Sequence, residues 1–149
     1  MGLIEDIGSG PVGLDTAIFI YLIEEHPRFL SLVEPVFAAV DGGRWTGITS
    51  GVTLLEVLVV PYRAGDIALA ERYEAVLTQS RGIHMVDIDR ALLRAAAQMR
   101  ALTGMRAPDA LQIAATLRAR ASAYLTNDRR LPRVPGLRVL QLQDYLPSR

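Results

Sequence analysis

The chain has 149 residues, half of them apolar and 21 % charged, with no cysteine, no lysine and only two histidines. This fits one domain with a substantial core and excludes disulfides, cysteine-based zinc sites and a histidine-rich metal centre. Sixteen arginines balance sixteen acids, but residues 81–149 hold twelve of the arginines and five of the acids, a basic half that either faces phosphate or is simply solvated.

From the start, MGLIEDIGSGPVG lacks the basic and apolar regions of a signal peptide. No later apolar run approaches the ~20 residues of a membrane helix, so a soluble cytoplasmic protein is expected. GSGPVG, Gly8 to Gly13, matches G-x-G-x-x-G letter for letter. The dinucleotide mechanism needs a strand before those glycines and a helix opening from them. Too few residues precede them for that, so residues 1–13 are expected to be a flexible lead and residues 14–149 the domain.

GLDTAIFIYLIEE predicts a short strand ending near Leu14–Asp15 and running into a helix. A second helix follows Pro27, with a break or fresh first turn at Pro35 and a stop at Gly42-Gly43. RWTGITS reads as a strand, VTLLEVLVV as a short helix ended before Pro61, and PYRAGD as a turn. IALAERYEAVLTQS is amphipathic, with Ile67, Ala70, Tyr73 and Leu77 on one side. IHMVDI is a strand; DRALLRAAAQMRALTG is a helix with Asp89 as N-cap and Gly104 as stop. RAPDALQIAATL is a helix, AYLT a strand, TNDRR a turn and LRVLQL a last strand. Strands separated by helices imply an α/β fold, a parallel sheet flanked by helices on both faces.

Ligands of such sheets bind outside the carboxyl ends of the strands, where four acids fall. Asp15 ends the first strand, Asp128 follows AYLTN, Asp109 opens a helix, and Glu56 lies in the helix after RWTGITS. Each has an ordinary alternative. Asp15 is a good N-cap, Asp109 a favoured first-turn acid after Pro108, and Asp128 a turn residue. Glu56, with Val52, Leu55 and Val59 as helical neighbours, is expected on or beside a buried face, where it needs an arginine or a metal. Four carboxylates without His or Cys suit Mg²⁺ or Mn²⁺, with Thr16, Thr49, Ser50, Thr126 and Asn127 near enough to orient ligands or hold a phosphate oxygen. Mutual repulsion predicts that Glu56→Gln and Asp15→Asn leave the metal-free fold equally or more stable.

LDTAIFIYL, TSGVTLLEVLVVPYRAGD, RAPDALQIAATL and LTNDRRL, in that order from Leu14 to about Leu142, resemble the PIN-domain ribonucleases, and within them the VapC toxins of type II toxin–antitoxin pairs. The resemblance implies a single PIN-like domain, Mg²⁺- or Mn²⁺-dependent endoribonuclease activity, an RNA substrate, an antitoxin partner and a homodimer. It places the family's acids, catalytic and metal-binding, on Asp15, Glu56, Asp109 and Asp128, with Thr126 as the hydroxyl before the last. Thr16 and Asn127 would support them; Arg106 and Arg129, nearest the acids in sequence, would hold flanking phosphates. The longer lead before Asp15 departs from the family pattern. Receiver domains and haloacid-dehalogenase-type phosphatases are disfavoured, because both employ a lysine and the latter an Asp-x-Asp, and neither is present here. A catalytically inactive PIN-fold module binding RNA or protein is the alternative.

Overall fold

A computed structural model describes residues 2–147, in which strands and helices alternate. In chain order these are α1 (Leu3–Ile7), β1 (Val12–Leu14), α2 (Thr16–Ile23), α3 (Leu30–Asp41), β2 (Gly47–Ser50), α4 (Gly51–Ala64) and α5 (Ile67–Gln79). Then follow β3 (Ile83–Val86), α6 (Arg90–Thr103), α7 (Ala107–Arg118), β4 (Ala123–Thr126), β5 (Arg138–Gln141) and a 3-10 turn over Leu142–Tyr145. The strands form one sheet in the order β3-β2-β1-β4-β5, parallel throughout, with Val12 opposite Gly47 on one side and Ala123 on the other. Every residue of β1, β2 and β4 is buried, as a sheet covered on both faces requires.

Two apolar cores result. One gathers Phe19, Val36, Phe37, Tyr73 and Leu77 with Leu14 and Leu125 of the sheet. The other packs Leu92, Ala96 and Ile113 of α6 and α7 against Ile48 and Tyr124. Close approach of α7 depends on Gly13, where a β-carbon would stand 2.4 Å from Thr116 Oγ1 and 2.6 Å from the Tyr124 ring. No helix among the described residues is long and apolar enough to cross a membrane.

Several expectations need correction. Residues 2–13 are not a loose lead. Leu3 and Ile7 are buried in the first core, Trp45 Nε1 donates to Gly8 O at 2.7 Å, and Tyr145 donates to Asp6 at 2.5 Å. Partly buried beside that carboxylate, the Tyr145 phenol is raised to about 12, loss of solvent being the larger cause. Gly8 and Gly10 of GSGPVG serve a turn around Trp45. Gly10 has φ +62°, and a β-carbon there would meet the Trp45 ring at 2.6 Å, which only glycine tolerates. A helix precedes the motif and a strand begins within it at Val12, the reverse of the dinucleotide arrangement.

The prolines also end fewer helices than expected. α3 continues through Pro35, which faces solvent, so the carbonyl it leaves unpaired can be hydrated. α4 runs on through Pro61 to Ala64, absorbing most of PYRAGD. It ends in a Schellman arrangement, with Asp66 N–H on Pro61 O and Gly65 N–H on Tyr62 O, Gly65 being left-handed. Of the expected α5 stripe, Ala70, Tyr73 and Leu77 are buried, but Ile67 is exposed.

Asp89 caps α6 through Leu92 N–H at 2.8 Å and receives both Arg118 nitrogens, at 3.1 and 2.9 Å. Arg118 is the main cause that lowers its pKa to about 2. The sign follows: with the folded pKa below the ordinary 3.8, the carboxylate's stabilisation is complete above about pH 4 and fades as pH falls toward 2. The stability difference between wild type and Asp89→Asn, measured by urea unfolding, should therefore shrink from pH 6 to pH 2. A constant difference would refute the ion pair's role.

Candidate active site

The chain runs β1 to β2 to β3 one way across the sheet and then β4 to β5 the other, so the strand order reverses between β1 and β4. At the carboxyl ends of those two strands, where such sheets bind ligands, stand Asp15 and Asp128. Asp15 N–H donates to Leu125 O at 3.0 Å. The Asp15 carboxylate caps α2 through Thr16 N–H at 2.8 Å and accepts from Thr126 Oγ1 at 2.6 Å. Thr126 is fully buried, and its oxygen also takes Asp128 N–H at 3.1 Å. One hydroxyl thus fixes both acids. These two bonds change the expectation for Asp15→Asn, since an amide has one acceptor oxygen where the carboxylate has two; a modest loss of stability is expected.

Asp109 lies in the first turn of α7 and Arg106 at its N-cap. Arg106 reaches Asp109 at 3.3 Å and Asp128 at 3.8 Å, while Arg130 Nε holds Asp128 at 3.1 Å. The two acids respond in opposite directions. Burial raises the Asp109 carboxyl, with Arg106 opposing and the charges of Asp15 and Asp128 adding to the rise. The Arg130 hydrogen bond lowers Asp128. Tyr124 beneath them is held well above its ordinary range by burial first and by the Asp15 charge next.

Glu56 departs from expectation. It is exposed, as are Leu55 at 67 % and Val59, because α4 turns Val52, Thr53 and Val57 inward instead. Its carboxylate still reaches the site, accepting from Thr16 Oγ1 at 2.6 Å. Thr16 opens a buried polar chain absent from the sequence reasoning in two of its members, Thr53 and Gln112. Gln112 Nε2 donates to Thr53 Oγ1 at 2.6 Å, and Thr53 lies 3.1 Å from Thr16 and 2.7 Å from Thr49. Gln112 Oε1 accepts from Ser50 N–H at 3.0 Å and Ser50 Oγ at 2.7 Å. Gln112 is only 2 % exposed; the available signal was one amide in a mostly apolar helix face, three residues after Asp109.

Asn127 anchors the C-terminal turn, accepting from Gln143 N–H at 3.0 Å, and donates to the Tyr21 hydroxyl at 3.2 Å. Arg129 does not stand at the acids: it pairs with Asp144. Arg130, its neighbour, takes the place expected of it.

The donor set, carboxylate oxygens at a strand-end crevice, has the chemistry of a hard divalent cation site. Among the described residues, no three His, Asp or Glu side chains are gathered in a ligating arrangement. Arg106 and Arg130 draw Asp109 and Asp128 toward themselves, supplying the positive charge that the acids need in this conformation.

A family model for the PIN domain matches residues 12–137. Among curated proteins none matches the chain in sequence. Solved structures share its fold. VapBC2 of Rickettsia felis, bound to a DNA fragment from its promoter, superposes at TM-score 0.66 with 16 % identity, covering 87 % of this chain and 97 % of that one. A toxin–antitoxin complex of Klebsiella pneumoniae gives 0.66 and 18 %, covering 89 % and 98 %. VapC20 of Mycobacterium tuberculosis, a sarcin–ricin-loop-cleaving toxin, gives 0.62 and 14 %, covering 76 % and 87 %.

Proposed function

The chain belongs to the PIN-domain family, and from that premise we propose that it is a cytoplasmic endoribonuclease dependent on Mg²⁺ or Mn²⁺, the toxin of a toxin–antitoxin pair. The observation that supports the reading is that Asp15 and Asp128, tied by Thr126, stand at the strand-order reversal, with Asp109 close enough to feel both charges and Glu56 bound to the neighbouring Thr16. Asp15, Asp109 and Asp128 would hold the cation, with Glu56 completing the set or orienting the attacking water. When bound, Mg²⁺ or Mn²⁺ supplies a polarised phosphate oxygen and an activated water.

The chain's own residues do the rest. Thr126 keeps Asp15 and Asp128 in one geometry, and Gln112 ties the helix carrying Asp109 to the helix carrying Glu56 through Thr53 and Thr16. Arg106, paired with both Asp109 and Asp128, is placed to exchange them for phosphate as it arrives. Water forms the new bond to phosphorus in line with the 3′-oxygen, whose P–O bond breaks and which leaves with a proton, so the products are 5′-phosphate and 3′-hydroxyl ends; the 2′-hydroxyl is unused and no cyclic phosphate forms. Binding should weaken as salt rises. The test is purified protein with total cellular RNA and Mn²⁺ or Mg²⁺. Metal-dependent cuts with those ends support the reading; binding without cleavage would leave an RNA-binding module.

Two partners belong to the proposal. An antitoxin arginine reaching Asp15 or Asp109 would compete with metal. The expected apolar surface of residues 18–40 is largely covered, whereas Leu55, Val60 and Tyr62 of α4 and Leu93 and Leu102 of α6 are exposed, more than scattered side chains on a monomer require. A homodimer is the expected result. Light scattering should give twice the 16.3 kDa chain mass; a monomer at micromolar concentration would contradict it.

A further inference from the structure

Next to the acids, Asp15, Ala17, Tyr21, Asn127, Asp128 and Arg130 line an open recess of about 270 Å³. We propose that Tyr21 is the stacking platform for one unpaired nucleobase of the RNA, the base beside the cleaved phosphate, with the Arg130 guanidinium on its other side. The inference rests on the ribonuclease reading and assigns that site its nucleotide-recognition subsite.

The surroundings of Tyr21 carry it. Tyr21 and Ala17 are one helical turn apart on the same face of α2, so the small alanine leaves open the space beside the ring. The ring itself is held from three directions. Phe29 stacks on it at 4.8 Å, His26 meets it edge-on at 4.9 Å, and Asn127 Nδ2 donates to its hydroxyl at 3.2 Å. Asn127 is in turn fixed by Gln143 N–H. A ring so fixed loses little rotamer freedom when a base settles on it, yet Tyr21 stays partly exposed where it borders the recess.

Arg130 supplies the second wall. Its Nε is committed to Asp128 at 3.1 Å, which orients the guanidinium, while its side chain is 78 % exposed. Guanidinium planes and aromatic rings are the two surfaces on which proteins stack unpaired RNA bases. The recess, about 270 Å³ and open to solvent, offers one base a place between the two walls. A flexible or unpaired segment is therefore the segment admitted. Stacking reads ring size better than base identity, and purine against pyrimidine is the discrimination expected.

The experiment uses Asp109→Asn protein, so that RNA persists, with Mg²⁺ and nine-nucleotide single-stranded RNAs carrying one 5-iodouridine. Irradiation followed by peptide mapping should place a cross-link on Tyr21. By fluorescence anisotropy, Tyr21→Leu should weaken binding on the order of tenfold or more, whereas Tyr21→Phe, which keeps the ring and loses the Asn127 bond, should stay close to the parent. Cross-links that map elsewhere, binding by Tyr21→Leu equal to the parent, or an equal loss in Tyr21→Phe would each overturn the platform. If Tyr21→Leu fails to fold, the cross-link position and Tyr21→Phe decide. Failure of the ribonuclease reading looks different: the cross-link forms on Tyr21, but wild-type protein cuts nothing. Cleavage by wild type with cross-links elsewhere removes only the platform.

Discussion

Asp109→Asn should lower RNA cleavage by at least ~100-fold, the scale of losing one electrostatic contact made to the reacting centre, while the protein melts no lower than wild type. The two halves of that expectation have one cause. Burial and the nearby Asp15 and Asp128 charges disfavour the Asp109 carboxylate on folding, against the pull of Arg106. A group whose folded pKa is raised binds its proton more tightly in the native state, so its charge at neutral pH lowers stability. The neutral amide removes that penalty and gives up only the exposed Arg106 pair, worth ~1 kcal/mol or less. It also removes the charge that would hold a cation. The same sign predicts the acid limb of activity: as pH falls, Asp109 takes a proton before Asp128, which Arg130 holds low. Parallel cleavage assays and thermal melts check both halves. A clear drop in melting temperature would make Asp109 a structural first-turn acid, and unchanged cleavage would remove it from the site.

Gln112→Leu should still be clearly destabilising, though less than Gln112→Ala, even though leucine restores most of the lost volume. The alanine variant loses buried packing and hydrogen bonds, together about 2–5 kcal/mol. The leucine variant keeps the packing but removes the Ser50 acceptor and the Thr53 donor, at about 1–3 kcal/mol for the buried groups left unpaired. It should also cut less RNA at temperatures where it is fully folded, because the link from α7 through Thr53 and Thr16 to Glu56 is gone. Urea unfolding and cleavage rates measure the two effects. A leucine variant as stable and active as wild type would show that Gln112 merely fills space.

The parallel α/β fold was legible because the alternation of short apolar strands with capped helices leaves few other arrangements; Asp89 and Gly104 bound α6 where their chemistry predicts. Asp15, Asp109 and Asp128 were legible for the same reason, since strand ends and a helix start can be counted along the chain. What failed depended on three-dimensional context. Pro61 reads as a stop, yet near the end of α4 it forfeits one hydrogen bond while the Gly65 cap completes the turn. Glu56 reads as buried because its neighbours are apolar, but an apolar run does not say which side of a helix faces the sheet; here Leu55 and Val59 are outside. In TNDRR two adjacent arginines are equivalent on paper, and only the turn geometry sends Arg129 to Asp144 and Arg130 to Asp128. The buried chain through Thr53 and Gln112 joins residues far apart in sequence, so no local pattern shows it. The short α1 is too small to stand alone and forms because Leu3 and Ile7 reach a core built by the rest of the chain.

The most direct measurement compares cleavage of total cellular RNA by the purified protein in Mn²⁺, in EDTA, and in EDTA with Mn²⁺ restored, with the product ends analysed. The account predicts cuts in Mn²⁺ bearing 5′-phosphates and 3′-hydroxyls, none in EDTA, and recovery on restoring the metal. Cleavage that persists in EDTA, or products ending in cyclic phosphates, would contradict it.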